Sequence, residues 1–221
     1  VTLLIATGLR REARVMAGDG IAVIAGGGDA ERLEQALEAA IGSVSGVLSS
    51  GFAGALDPEL GVGEIVIGGV SGSESFAKRL AKLLPHARIG LVAGRDQVAG
   101  SATEKRALWA ETGALAVDME SHIAARVAAR HGLPFAALRV ISDEADATLP
   151  PAALAGMRPD GGIAIGAVLG SLLRKPRQLP ALLRTGRDAG VAFQALRSVH
   201  HVLRRSGIGG FDAGQLTLDM R

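Results

Sequence analysis

Short apolar stretches alternate with amphipathic ones along the first two thirds of the chain, and this alternation narrows the fold more than any other feature. The apolar stretches VTLLIAT (1–7), IAVIAG (21–26), VSGVLSS (44–50), GEIVIGG (63–69), ARIGLVA (87–93) and PFAALRVIS (134–142) have strand length. Between them, DAERLEQALEAAIG (29–42), SESFAKRLAKLLP (73–85), SATEKRALWAETG (101–113) and MESHIAARVAARHG (119–132) carry helical periodicity. Asp29 stands where an N-cap belongs, Gly42 and Gly132 where helices stop, and Ser101 with Glu104 has capping-box spacing. Strands separated by helices predict an α/β architecture, a largely parallel sheet covered on both faces.

The 221 residues, 48% of them hydrophobic, suffice for one substantial core, and no Pro/Ser/Gly linker divides them. A domain over 1–173 is expected, followed by a basic helical extension over 174–221. From Arg174 to Arg205 there are eight Lys or Arg against the single acid Asp188. The lack of cysteine excludes disulfides, thiolate metal sites and a cysteine nucleophile, and fits a reducing, cytoplasmic setting. No signal-peptide pattern opens the chain. The longest uncharged apolar run, 161–173, is shorter than the roughly 20 residues that span a bilayer. With 3% aromatic residues and a net charge of +2, a stacking platform for nucleic acid is not expected. Nor is a metal site: of five histidines only His200 and His201 are close, and neighbours on a helix point apart. No other cofactor is implied.

The most informative stretch is RVISDEAD (139–146), a buried strand that ends in three carboxylates. Ligands of open α/β sheets bind at such strand ends. Glycine clusters follow several other strands, in TGLRREA, AGGGDAE, SSGFAGALDPELGVGE and AGRDQVAGS, where turns form or backbone approaches a ligand. GGGD lacks dinucleotide-fingerprint spacing and opens an acidic helix, which argues against an NAD site.

IATGLRREA, SSGFAGALDPELGVGEIVI and AVDMESHIAARVAARHGLPFAALRVISDEAD together resemble the nucleoside phosphorylase and nucleosidase superfamily, in particular the purine nucleosidases that cleave methylthioadenosine and S-adenosylhomocysteine. The resemblance runs in order over about residues 1–150. It implies a three-layer α/β/α sandwich with a mixed, mostly parallel sheet, and cleavage of a purine N-ribosidic bond. By the same resemblance Asp143 is the acid that protonates or hydrogen-bonds the leaving base, and Ser142 orients it. Burial and the like charges of Glu144 and Asp146 are expected to favour its protonated form. Glu120 matches the acceptor of the ribose 2′ and 3′ hydroxyls, Met119 the residue packed on the sugar, and Arg139 a residue near the nucleophile. Read without the resemblance, Glu120 is a helix-start acid beside Asp118, and Arg139 an ion-pair partner.

Glu12 matches the water-activating glutamate of nucleosidases, and a carboxylate there repels phosphate, which favours hydrolysis. Arg10 and Arg11 stand where nucleosidases have acids, so they are candidate phosphate ligands and phosphorolysis, with phosphate as co-substrate, stays open; two exposed charges at a helix start is the plainer reading. Other departures concern the substrate. Phe52 replaces a small polar residue near the nucleophile, and Gln97 and Val98 occupy the place of an aromatic that lies on adenine. The segment between Gly69 and Ser75 is short, which leaves the 5′ side of the pocket open.

The stretch Leu172–Val199 resembles the C-terminal extension of the hopanoid-biosynthesis-associated phosphorylases, which implies adenine release from adenosylhopane as the reaction. Leu182, Ala189, Phe193, Leu196 and Leu203 form one helix face, read as peripheral contact with lipid at the inner membrane through 174–205; a core-capping or subunit-contact helix is the alternative. A homo-oligomer is implied by resemblance alone. The reading outside enzymology is a nucleoside-binding scaffold protein, to which Phe52 and Gln97 point.

Overall fold

The computed structural model describes residues 2–69, 74–156 and 164–207. Most of the segment expected to leave the 5′ side open, the start of the apolar run at 161, and the last part of the 174–221 extension lie outside the described residues. In chain order the elements are β1 (Thr2–Thr7), α1 (Arg10–Met16), β2 (Ile21–Ala25), α2 (Ala30–Ala40), β3 (Val44–Ala55), β4 (Ile65–Gly69), α3 (Glu74–Leu83), β5 (Arg88–Ile89), β6 (Val92–Gly94), α4 (Ala102–Thr112), β7 (Ala116–Asp118), α5 (Ser121–Arg130), β8 (Phe135–Asp143), α6 (Pro151–Gly156), α7 (Ile165–Arg174) and α8 (Leu179–Arg205).

The strands join in the order β2-β1-β3-β8-β4-β5, with β7 paired to the end of β3 and β6 to β7. Among the described strand pairs only β3–β7 and β4–β8 are antiparallel, so the expected mixed, mostly parallel sheet is what forms. Successive strand residues alternate between its faces. Leu3 and Ile5 of β1, with Leu138 and Val140 of β8, pack under α1, α3 and α8. Leu4 and Ala6, with Phe135 and Ala137, pack under α2 and α5 through Leu33, Leu37, Ile123 and Val127. The caps read from the sequence are present: Asp29 accepts from the Arg32 amide, and Ser101 and Glu104 close a reciprocal box.

Three boundaries differ from expectation. β3 does not stop at residue 50 but continues through the glycine-rich GFAGA to Ala55, because β8 supplies pairing partners along its length. The stretch 87–93 divides into β5 and β6, the first on β4 and the second on β7. β7, too short to show a period, was not expected as a strand.

The C-terminal helix splits in character. Ala192, Leu196, Val199 and Leu203 of α8 are fully buried in the core face shared with α1 and α3. For this half the core-capping alternative holds, and the lipid-contact reading does not. At the end of the 1–173 segment and in the first part of the extension, apolar side chains face outward: Ile165, Leu169 and Leu173 of α7, and Leu179, Leu183 and Val191 of α8 are exposed. Among the described residues no helix is long and apolar enough to cross a membrane.

Candidate active site

A cleft of about 470 Å³ opens where β1, β3, β7 and β8 end. Its walls are the loop of Gly8 and Leu9, the turn of Gly27 and Gly28, the segment Gln97–Ala99, and Leu149 with Leu154 on one rim. Glu12, Phe52, Gln97, Val98, Met119, Glu120, Ser142 and Asp143 all line it. Residues far apart in sequence are thus brought to one cleft.

Glu12 sits in the first turn of α1, where free backbone N–H groups favour a carboxylate. It accepts from the Gly8 and Leu9 amides at 3.0 and 2.7 Å and from the Phe52 amide at 2.9 Å. The Phe52 contact uses backbone, so the side chain at 52 is free to differ. Burial raises the Glu12 carboxyl above its ordinary range, against the lowering by those amides and by Arg139. A Cβ on Gly51 would lie 3.0 Å from both the Glu12 carboxyl and Arg139 Nη1, so glycine lets β3 pass between them.

Glu120 opens α5 but makes no capping bond; Asp118 takes that task, accepting from the Ser121 amide at 3.0 Å and from Ser121 Oγ at 2.5 Å. This division of labour leaves the Glu120 carboxylate to face the cleft. Burial, then the charges of Asp118 and Glu12, push it up to about 8, against the pull of Arg139. Met119 lies beside it, its Cε 3.7 Å from where a Gly28 Cβ would be.

Arg139 does not line the cleft. It is fully buried beneath it, ion-paired with Asp118, donating to Ser49 Oγ, and 3.8 Å from Glu120. Among the described residues its Nε and Nη1 have no hydrogen-bond partner. Arg10 and Arg11 also stay outside, because about 100° of helix rotation per residue turns them away when Glu12 points in. Arg11 instead lies over the Phe193 ring, 4.8 Å from its centroid. Their candidacy as phosphate ligands in the nucleophile pocket is therefore corrected.

Asp143 is the last residue of β8 and pairs with Gly54 just past a register shift in β3, an irregularity that re-aims side chains at a sheet end. Ser142 Oγ donates to its Oδ1 at 2.8 Å. Its second oxygen is taken by the ammonium of Lys105, a residue that no motif in the sequence singles out. Lys105 is fully buried and also donates to the carbonyls of Glu144 and Ala147 at 2.7 and 3.2 Å. Glu144 and Asp146 are exposed. The charged side chain in contact with Asp143 is thus a cation. The signal in the sequence was a lysine three residues before Leu108, on the buried stripe of α4.

Phe52 meets Phe193 of α8 edge to face, the ring centroids 4.7 Å apart. The extension thus contributes to the cleft wall from behind.

A family model described as the phosphorylase superfamily matches residues 70–159. No curated protein matches the chain. Solved structures with this fold include a futalosine hydrolase mutant of Helicobacter pylori, 21% identical, with 64% of this chain and 89% of that one covered and a TM-score of 0.53. The 5′-methylthioadenosine/S-adenosylhomocysteine nucleosidase of Colwellia psychrerythraea, solved with adenine, is 17% identical over 77% of this chain and 95% of its own, TM-score 0.59. A methylthioadenosine nucleosidase assigned from Weissella paramesenteroides is 18% identical, covering 91% and 95%, TM-score 0.59.

Proposed function

We propose that the protein is an N-glycosidase that hydrolyses the N-ribosidic bond of a purine nucleoside. The observation that carries this is the convergence of Glu12, Glu120 and Asp143, from three separate segments, on one cleft. Cleavage leaves negative charge on the base and positive charge on the ribose, and the cleft has groups for both. The buried Lys105 ammonium and Asp143 share a proton; it passes through the Asp143 carboxyl, held by Ser142, to N7 of the departing base and leaves Lys105 neutral beside the carboxylate. Glu120 accepts from the ribose 2′ and 3′ hydroxyls and stabilises the cationic ring. Glu12, with its carboxyl raised by burial, takes the proton of the water whose oxygen bonds to C1′ as the C1′–N9 bond breaks. The hydrolytic products are a free purine and the reducing sugar.

The substrate we favour is adenosylhopane, an adenine nucleoside with an apolar 5′ substituent. Support comes from the apolar Leu149 and Leu154 on the cleft rim and from the exposed Ile165, Leu169 and Leu173 on α7, which packs against the helix that carries Leu154. That outward apolar side also supports peripheral contact with the inner membrane. The enzyme would otherwise act in the cytoplasm, as the homo-oligomer that the resemblance implies. Phosphorolysis is the second reading, favoured by the unpartnered Nη1 of buried Arg139 beside the nucleophile position.

The purified protein is to be incubated with adenosylhopane, methylthioadenosine and adenosine, with and without phosphate, and adenine measured by chromatography. Phosphate-independent release, lost in Asp143→Asn, is the expected result. Release that requires phosphate supports the second reading. Nucleoside binding without turnover makes the protein a scaffold and refutes both.

A further inference from the structure

On the outer side of α8, away from the nucleoside cleft, lies a groove of about 840 Å³ between α1 and the end of α8. Five arginines line it, Arg11 and Arg14 from α1 and Arg197, Arg204 and Arg205 from α8, with His200 and His201 between them and no acid. The helical spacing explains the convergence. Residues 11 and 14 are one turn apart, and 197, 200 and 204 follow at steps of three and four, so each helix presents one cationic edge. The buried stripe of Ala192, Leu196, Val199 and Leu203 fixes that edge in place.

Four arginines outside the groove are matched with acids. Arg126 and Arg130 share Glu34, Arg88 meets Asp57 and Glu59, and Arg139 meets Asp118. Among the described residues, Arg14, Arg197, Arg204 and Arg205 have no carboxylate partner. Like charges held at about 4 Å repel by roughly 1 kcal/mol per pair even in water, and more near a protein surface. An anion in the groove turns that repulsion into attraction. Guanidinium forks match phosphate oxygens in pairs, and a groove of this size takes more than one phosphate.

We infer that the α1–α8 groove is a binding site for a phosphate-bearing anion, separate from the nucleoside cleft. Its floor is Phe193, whose ring carries Arg11 on one side and meets Phe52 of the cleft on another. The site therefore backs directly onto the wall beside Glu12. His200 reports on occupancy. Burial and the charges of Arg204 and His201 hold its ring below the ordinary histidine range, and a bound anion opposes those charges and raises it.

The test uses the full chain and two sources of phosphate: sedimentation with phosphatidylglycerol vesicles against phosphatidylcholine vesicles, and calorimetric titration with tripolyphosphate. Binding is expected at low salt, weakened about tenfold at several hundred millimolar salt by screening. Vesicle binding alone assigns the site to lipid headgroups, tripolyphosphate binding alone to a soluble anion; each supports it. The double variant Arg197→Glu and Arg204→Glu, altered only at exposed positions, should lose binding while keeping its thermal melt. In the wild type, the NMR titration of His200 should move upward with the anion that binds. Absence of binding to both probes, undiminished binding in the double variant, or an unmoved His200 overturns the inference. Because none of these readouts uses turnover, failure of the nucleosidase reading leaves the test intact.

Discussion

Replacing Glu120 with glutamine should change how stability depends on pH. Burial pushes the folded-state carboxyl of Glu120 up to about 8, from an ordinary 4.5. Between those values the folded protein keeps a proton that the unfolded chain has released, so stability falls as pH rises. The contribution is complete below the unfolded value and is lost as pH climbs through the folded one. Raising a carboxyl by one pH unit on folding is worth about 1.4 kcal/mol, which sets a ceiling of about 5 kcal/mol over the window. Glu12, also raised by burial, acts in the same direction. Urea unfolding from pH 5 to 8 should therefore show a decline that Glu120→Gln reduces by about 1 kcal/mol per pH unit, and that Glu12→Gln with Glu120→Gln reduces further. Nucleoside affinity should move the other way, since the ionised carboxylate is the form that accepts from both hydroxyls. Equal slopes in wild type and Glu120→Gln would show that Glu120 is not held protonated in the empty cleft, and the reasoning would fail.

Lys105→Met should destabilise by about 3–5 kcal/mol, read by denaturant melts, because it leaves Asp143 and two carbonyls without their donor. Adding Asp143→Asn should recover part of that loss, and adenine release should be absent in both. Leu196→Ala, in the buried stripe of α8, should cost about 2–5 kcal/mol. For the same reason a chain ending after Gly170 should aggregate on expression; a well-folded truncated protein would count against the core role of α8.

The layers of the fold were legible because strand and helix periods are properties of local sequence, and β1 shows it: Leu3 and Ile5 go to one face, Leu4 and Ala6 to the other. The length of β3 was not legible, since its glycines read as a turn until β8 is placed alongside. For the cleft, residues inside contiguous motifs such as DMES and ISD were found. Lys105 was missed because its partner lies 38 positions away and only the fold joins them. The same limit misassigned Arg11: adjacency to Glu12 in sequence brought it to the nucleophile, whereas the helix turned it outward to Phe193. The division of α8 into a buried and an exposed half depends on where the sheet ends beneath it, which its own apolar spacing does not encode.

Phe52 links that helix to the cleft. The amide of residue 52 holds Glu12 through backbone, so the chemistry does not dictate the side chain, and the phenyl ring instead reaches α8. If the Phe52–Phe193 contact is what joins the extension to the active-site wall, the two positions must be energetically coupled. A double-mutant cycle with Phe52→Leu and Phe193→Leu keeps apolar bulk and removes the edge-to-face geometry. A coupling of about 0.5–1.5 kcal/mol is expected from such ring pairs, measured by urea unfolding. The same cycle read on KM, once a nucleoside is turned over, should show coupling too, because either ring set loose lets the wall beside Glu12 shift. Additive effects in both readouts would mean that α8 only covers the core, and that the cleft is indifferent to the extension behind it.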